Sequence, residues 1–189
     1  SHYGNDRQYL TRSAKMLATL QFTLRGTPYV YQGQEIGMTN FDFQSLEQLD
    51  DVESHNIDHL MKKMHIPKWL RWRWIRMASR DNARTPMQWS GEPGAGFTTG
   101  TPWLGINSNH VRLNYAAQAD DSRSVLSYYK RMIALRAGSE TLKFGVFEPL
   151  FADSDCSVMG NAWRGSLESL AWFMRYWRDN FSAAYDLNR

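Results

Sequence analysis

The stretch that most limits what this chain can become is Thr27-Pro28-Tyr29-Val30-Tyr31-Gln32-Gly33, a short β-prone run bounded by Pro and Gly. Ahead of it, Leu10, Ala14, Leu17, Leu20 and Leu24 recur every three or four residues, which predicts an amphipathic helix from Tyr9 to Leu24. Asn5 or Asp6 is placed to cap its start and Gly26 to stop it. A helix feeding a short buried strand, with Gln32, Gln34 and Glu35 at the far end, is the pattern of an α/β protein whose site gathers at the carboxyl ends of its strands.

Further on, Leu46, Leu49, Val52, Ile57, Leu60, Met61 and Met64 predict a helix from about Ser45, with Ser45 and Gln48 as a capping box. Pro67 interrupts it, and a second helix is expected from Lys68 to about Ala78. That second segment, Lys68-Trp69-Leu70-Arg71-Trp72-Arg73-Trp74-Ile75-Arg76, is basic and aromatic together. It fits a nucleic-acid stacking surface, a membrane-facing helix, or a helix that packs its Trp rings inward while Arg and Lys stems reach outward. Its shortness and isolation favour the last, so neither a nucleic-acid nor a membrane partner is expected.

The segment Ser79 to Trp89 combines Arg80, Asp81, Asn82, Arg84, Pro86, Gln88 and a ring, which reads as a rigid, polar-lined loop. Such loops often bind ligands, yet this one alone fits equally a surface loop held by its own hydrogen bonds. A second long loop spans Gly91 to Asn109. A helix from Ser122 to Arg136 follows, with Val125, Leu126, Tyr129, Met132 and Ile133 on one side and Gly138 as its stop. Beyond it, Thr141 to Phe151 is β-prone, Asp153 to Glu168 is irregular, and alternation from Leu170 to Leu187 around Arg178-Asp179-Asn180 predicts a β-hairpin.

A length of 189 residues suits one domain, or one and part of another. No apolar run reaches membrane-spanning length, and the N-terminus lacks the basic start and apolar stretch of a signal peptide. It also lacks an initiator Met, which suggests a segment from within a larger protein. Cys156 stands alone, so no internal disulfide is expected, and no Cys/His spacing resembles a metal site. The net charge of +3 demands no polyanionic partner. Aromatic residues at 14% suit a protein that stacks sugars or bases, and a large core equally.

Three motifs in order, Gly26 to Asn40, Ser79 to Trp89, and Gly96-Phe97-Thr98-Thr99-Gly100 with Pro102-Trp103, resemble the oligo-1,6-glucosidase group of the α-amylase superfamily. The resemblance runs from Ser1 to about Leu150, and weakly through the terminal hairpin; residues Ala152 to Ser169 do not follow the family's pattern. It implies a (β/α)8 barrel followed by an antiparallel β domain. Residues 1–138 would be the C-terminal portion of the barrel, with Pro28 to Gln32 as its last strand, and 139–189 the beginning of the β domain. The chemistry implied is retaining glycoside hydrolysis by an Asp nucleophile and a Glu acid/base, a pair held roughly 5–5.5 Å apart. In the family these carboxylates, and a third Asp, come from strands that would precede Ser1. Asp6, Glu35 and Asp81 do not occupy those motifs, and the chain alone is expected to be inactive.

What the resemblance carries onto this chain is substrate binding. Arg80, by its place in the Arg-Asp-Asn motif, matches the arginine that holds hydroxyls of the non-reducing-end glucose, with a structural ion pair as the alternative. Glu53, in Asp51-Val52-Glu53, matches an acid that contacts the next sugar and favours the 1,6 linkage, with a solvated helix position as the alternative. Gln34 stands where the family usually has Glu. Tyr31, Gln32 and Glu35 are expected to shape the strand end, and Arg84 and Gln88 to brace the loop. No cofactor is expected, and the parent is expected to be cytoplasmic with a small gluco-oligosaccharide as substrate. Trehalose-6-phosphate hydrolase, sucrose isomerase and α-1,4-glucosidase share these motifs, and a non-catalytic binding or scaffold protein derived from the barrel is a further alternative.

Overall fold

The computed structural model of the chain describes residues 8–149 and 161–163. In chain order its helices are α1 (Leu10–Thr23), α2 (Val52–Lys63), α3 (Lys68–Ala78), α4 (Tyr115–Ala119), α5 (Val125–Gly138) and α6 (Glu140–Phe144), followed by strands β1 (Phe147–Pro149) and β2 (Asn161–Trp163). Two compact units divide it, one formed by Ser1–Val30 with Ser127–Arg189 and the other by Tyr31–Leu126.

In the first unit, α1 forms where the periodicity places it, but its buried stripe is Ala18, Thr19, Phe22 and Thr23 rather than the predicted leucine row. Threonine can be buried here because its hydroxyl bonds its own helix: Thr19 donates to the Lys15 carbonyl at 3.0 Å and Thr23 to the Thr19 carbonyl at 2.8 Å. The cap position falls on Tyr9, which makes no side-chain cap bond; Asn5 and Asp6 lie outside the described residues. From α5, the Tyr129 ring meets Phe22 edge-on at 5.7 Å between centroids. Arg136, only 8% exposed, donates from Nη1 to the carbonyls of Phe22 (2.6 Å) and Leu24 (3.1 Å), and from Nη2 to that of Gly26 (2.5 Å). It thus satisfies carbonyls left open where α1 ends. Ile133, expected on the buried side of α5, is 49% exposed, and Tyr128 is buried in its stead.

Two expectations about extended chain change. Residues Pro28 to Gln32 have no ladder partner among the described residues and are not a strand there, because a strand exists only by bonding to a neighbour. The run Thr141 to Phe144, expected to be β, is helical: Ser139 caps α6 by accepting the Leu142 N–H, which a β-propensity reading overlooks. Strand character begins only at β1, which pairs antiparallel with β2, so the stretch expected to be irregular contains a short strand. The hairpin expected from Leu170 to Leu187 lies outside the described residues.

In the second unit, a turn at Gly33 opens a 3-10 segment, Gln34–Ile36. Gly33 has φ of +82°, and a Cβ there would stand 2.3 Å from the Met38 sulfur, so only glycine fits. The helix expected from Ser45 is instead a 3-10 turn, Leu46–Gln48, followed by α2. Ser45 makes no cap bond, and Gln48 accepts the Gln44 N–H. Helix continuity fails at Asp50 and Asp51 because their N–H groups go to a carboxylate from another part of the chain, described below. α2 and α3 pack together. Phe43, Leu49, Ile75 and Leu104 form the core beneath them, with Phe41, Leu46, Ile57 and Trp72 against it. Ile36, Met87 and Leu126 form a second cluster with Met38.

The orientation of α3 departs from expectation. Ile75 is buried and Trp72 packs on the core, but Trp69 and Trp74 are 67% and 53% exposed. The inward position that a ring was expected to take is held by Arg71, whose Nε lies 2.8 Å from Asp58 Oδ1 and whose Nη1 donates to the Ile66 carbonyl.

Candidate functional site

The polar loop after α3 is tied down at its base. Asn82 donates from Nδ2 to the carbonyls of Arg76 (2.9 Å) and Ser79 (3.1 Å), closing the end of the helix. Asp81, completely buried, then reaches back about thirty residues: its Oδ2 accepts the backbone N–H groups of Asp50 (2.7 Å) and Asp51 (2.9 Å). Its Oδ1 accepts from Arg84 Nη1 at 3.1 Å. The loop therefore fixes the start of α2, and with it the side chains of Asp51 and Glu53.

Asp51 is 3% exposed. Its Oδ2 accepts from Ser54 Oγ at 2.8 Å, and its Oδ1 accepts from Arg80 Nε (3.0 Å) and Nη2 (2.6 Å). Arg80 in turn keeps 56% of its side chain in the open, and its Nη2 stands 3.4 Å from Glu53 Oε2, itself 61% exposed. The two residues singled out in the sequence are thus brought together on one exposed rim. The ion pair offered as the alternative reading of Arg80 is also present, and it uses Nε and Nη2, leaving Nη1 outside the Asp51 contact. A guanidinium oriented by a buried carboxylate while half its surface faces outward suits a hydroxyl-bearing ligand.

Burial alone would raise the pKa of Asp51, but hydrogen bonds from Arg80 and Ser54 and the Arg80 charge outweigh it, and the net direction is below the ordinary 3.8. The hydrogen bonds that Arg80 donates to Asp51, and the Asp51 charge, push Arg80 above its ordinary value. A carboxylate whose folded pKa is depressed adds stability above its unfolded pKa and loses it as pH falls through the folded value. The stability difference between the wild type and Asp51→Asn is therefore expected to be constant above roughly pH 5 and to shrink as the pH falls through and below about 4. Thermal melts across that range check it; a difference that grows toward acid sinks the assignment.

The bracing roles read for two other residues are visible. Arg84 holds Asp81, and Gln88, fully buried, donates to Asn109 Oδ1 at 3.0 Å and to the Leu113 carbonyl. Gln34 accepts the Tyr31 N–H at 3.1 Å, so the end of the extended run is shaped locally, with Glu35 in the 3-10 turn beside it. Sequence reasoning missed Asp51 and Ser54 as the grip on Arg80. The available signal was only an Asp directly ahead of a helical run. Among the described residues no group of three or more His, Cys, Asp or Glu could hold a metal ion.

A family model described as the α-amylase catalytic domain matches residues 1–145. An oligo-1,6-glucosidase from Parageobacillus thermoglucosidasius is 42% identical over 155 residues, which is 81% of this chain and 27% of that protein. A trehalose-6-phosphate hydrolase from Bacillus subtilis (strain 168) is 39% identical over 90% of this chain and 30% of its own length. Among solved structures, isomaltulose synthase from Erwinia rhapontici NX5 superposes with a TM-score of 0.77 at 42% identity, covering 80% of this chain and 27% of that one. The chain thus spans little more than a quarter of the proteins it matches. These matches support the (β/α)8 barrel glycoside-hydrolase fold expected from the sequence.

Proposed function

Because this chain belongs to the α-amylase catalytic-domain family, we propose that its parent protein is a retaining α-glucosidase that hydrolyses terminal α-1,6 links in short gluco-oligosaccharides such as isomaltose. Residues 1–138 contribute the C-terminal part of the barrel, and residues from 139 onward begin a β domain. The observation that carries the reading is the exposed Arg80 and Glu53 pair, oriented from beneath by buried Asp51. Arg80 holds hydroxyls of the terminal glucose, and Glu53 meets the next sugar. Similarity to several oligo-1,6-glucosidases supports the linkage.

Cleavage requires two carboxylates flanking the scissile bond. Asp81 cannot be one of them, since its oxygens are buried and engaged by Asp50, Asp51 and Arg84. Asp51 is likewise committed to Arg80 and Ser54. The 189-residue chain by itself therefore binds a glucose without hydrolysing a glycoside. Two assays separate the parts of this proposal. The purified chain releases no glucose from isomaltose, while the complete parent enzyme turns over isomaltose faster than maltose or trehalose 6-phosphate. Rearrangement of sucrose as the dominant activity would overturn the hydrolase assignment in favour of the isomerase-type relatives.

A further inference from the structure

The proposed sugar rim does not use the α2–α3 hairpin's outer surface, and the charge there is segregated. From His59 to Arg80 there are seven Lys and Arg and no Asp or Glu, whereas fifteen basic and nineteen acidic residues remain elsewhere, a net of −4 in a chain of +3. Three of the seven are engaged within the molecule: Arg71 with Asp58, Arg76 with Asp42, and Arg80 with Asp51. Among the described ion pairs none involves Lys62, Lys63, Lys68 or Arg73, all exposed.

Exposed apolar side chains flank one of these cations, Arg73, whereas Lys68 lies on the Ile75 side of α3 near Glu47. Trp69, Leu70, Trp74 and Met77 are 67%, 42%, 53% and 62% exposed. At 3.6 residues per turn they share one side of α3 with Arg73, opposite the buried Ile75. At the turn between the helices Met64 is 64% exposed, between Lys63 and Lys68. Solvated helix faces do not ordinarily carry two tryptophans, a leucine and a methionine together.

We propose that this face docks on an anionic lipid surface, with the tryptophans, Leu70 and Met77 entering the headgroup boundary and Arg73, together with Lys62 and Lys63 at the end of α2, meeting lipid phosphates. Charge complementarity selects an anionic partner. The choice of lipid over nucleic acid rests on the aliphatic residues, since Leu and Met have no ring to stack on a base yet partition readily into an acyl boundary. Arg71 supports the arrangement by filling the inward position, which leaves Trp69 and Trp74 facing out.

The test is cosedimentation of the full chain with vesicles of phosphatidylcholine alone and with vesicles containing phosphatidylglycerol, at low and high salt. Expected are pelleting with the anionic vesicles, little with the neutral ones, and release by salt. The double variant Trp69→Ser, Trp74→Ser should bind roughly tenfold or more weakly, as should Lys63→Gln with Arg73→Gln. Far-UV circular dichroism verifies that each retains its helices. Equal pelleting with neutral vesicles overturns the proposal, as does salt-sensitive binding of an oligonucleotide without vesicle binding. Absence of pelleting, with thermal stability lost when the two rings are removed, overturns it in favour of a protein surface covering this face.

Discussion

Replacing Asp81 by Ala is expected to cost about 3 kcal/mol, because it leaves two inward-facing N–H groups without an acceptor and Arg84 without its buried partner. An unsatisfied buried donor costs about 1–3 kcal/mol, and Asp50, being exposed, recovers part of its share from water. The effect is also local. Amide hydrogen exchange at Asp50 and Asp51 is expected to quicken more than tenfold, about 1.4 kcal/mol or more of lost protection, while α1 in the other unit keeps its rates. Asp81→Asn keeps one acceptor oxygen but turns an amide toward Arg84, and is expected to lose about half as much. A melting midpoint lowered by less than about 2 °C in Asp81→Ala, with exchange unchanged, would show that Asp81 does not hold the start of α2.

Arg80→Lys is expected to lower kcat/KM for isomaltose about a hundredfold in the complete enzyme, or about 2.7 kcal/mol of transition-state stabilisation. The guanidinium can give Nε and Nη2 to Asp51 and still present Nη1 to a sugar, whereas an ammonium is a point donor that must choose. If Arg80 served only as an ion pair, Arg80→Lys would leave kcat/KM within about threefold of the wild type, the lysine still satisfying Asp51. The two roles therefore give opposite outcomes in one steady-state measurement, provided melting confirms that the variant stays folded.

Much of this arrangement was legible in the sequence where the signal is local. Helical spacing placed α1, α3 and α5, and the glycine at 33 marked a turn that only glycine can make. What escaped was set by partners distant in the chain. The break before α2 depends on Asp81, about thirty residues away, and no window around Ser45 contains it. The outward tryptophans accompany an inward Arg71, whose partner Asp58 lies on the preceding helix. The helix at Glu140–Phe144 defeats a β-propensity reading because a single hydroxyl, Ser139, decides it. The candidacy of Arg80, which stands 3.4 Å from Glu53, was legible through resemblance. Its grip through Asp51 and Ser54 was not, because two bonds to a buried carboxylate leave little trace in the composition of a loop.

The contact of Asp81 with Asp50 and Asp51 also has a kinetic meaning. It closes a loop that contains both helices of the hairpin, so its entropy of closure must be met before either bond forms. Asp51 has no fixed direction in which to hold Arg80 until that loop shuts. Arg80 and Glu53 are therefore expected to become ordered together, when the loop between Asp51 and Asp81 closes, rather than one after the other along the chain.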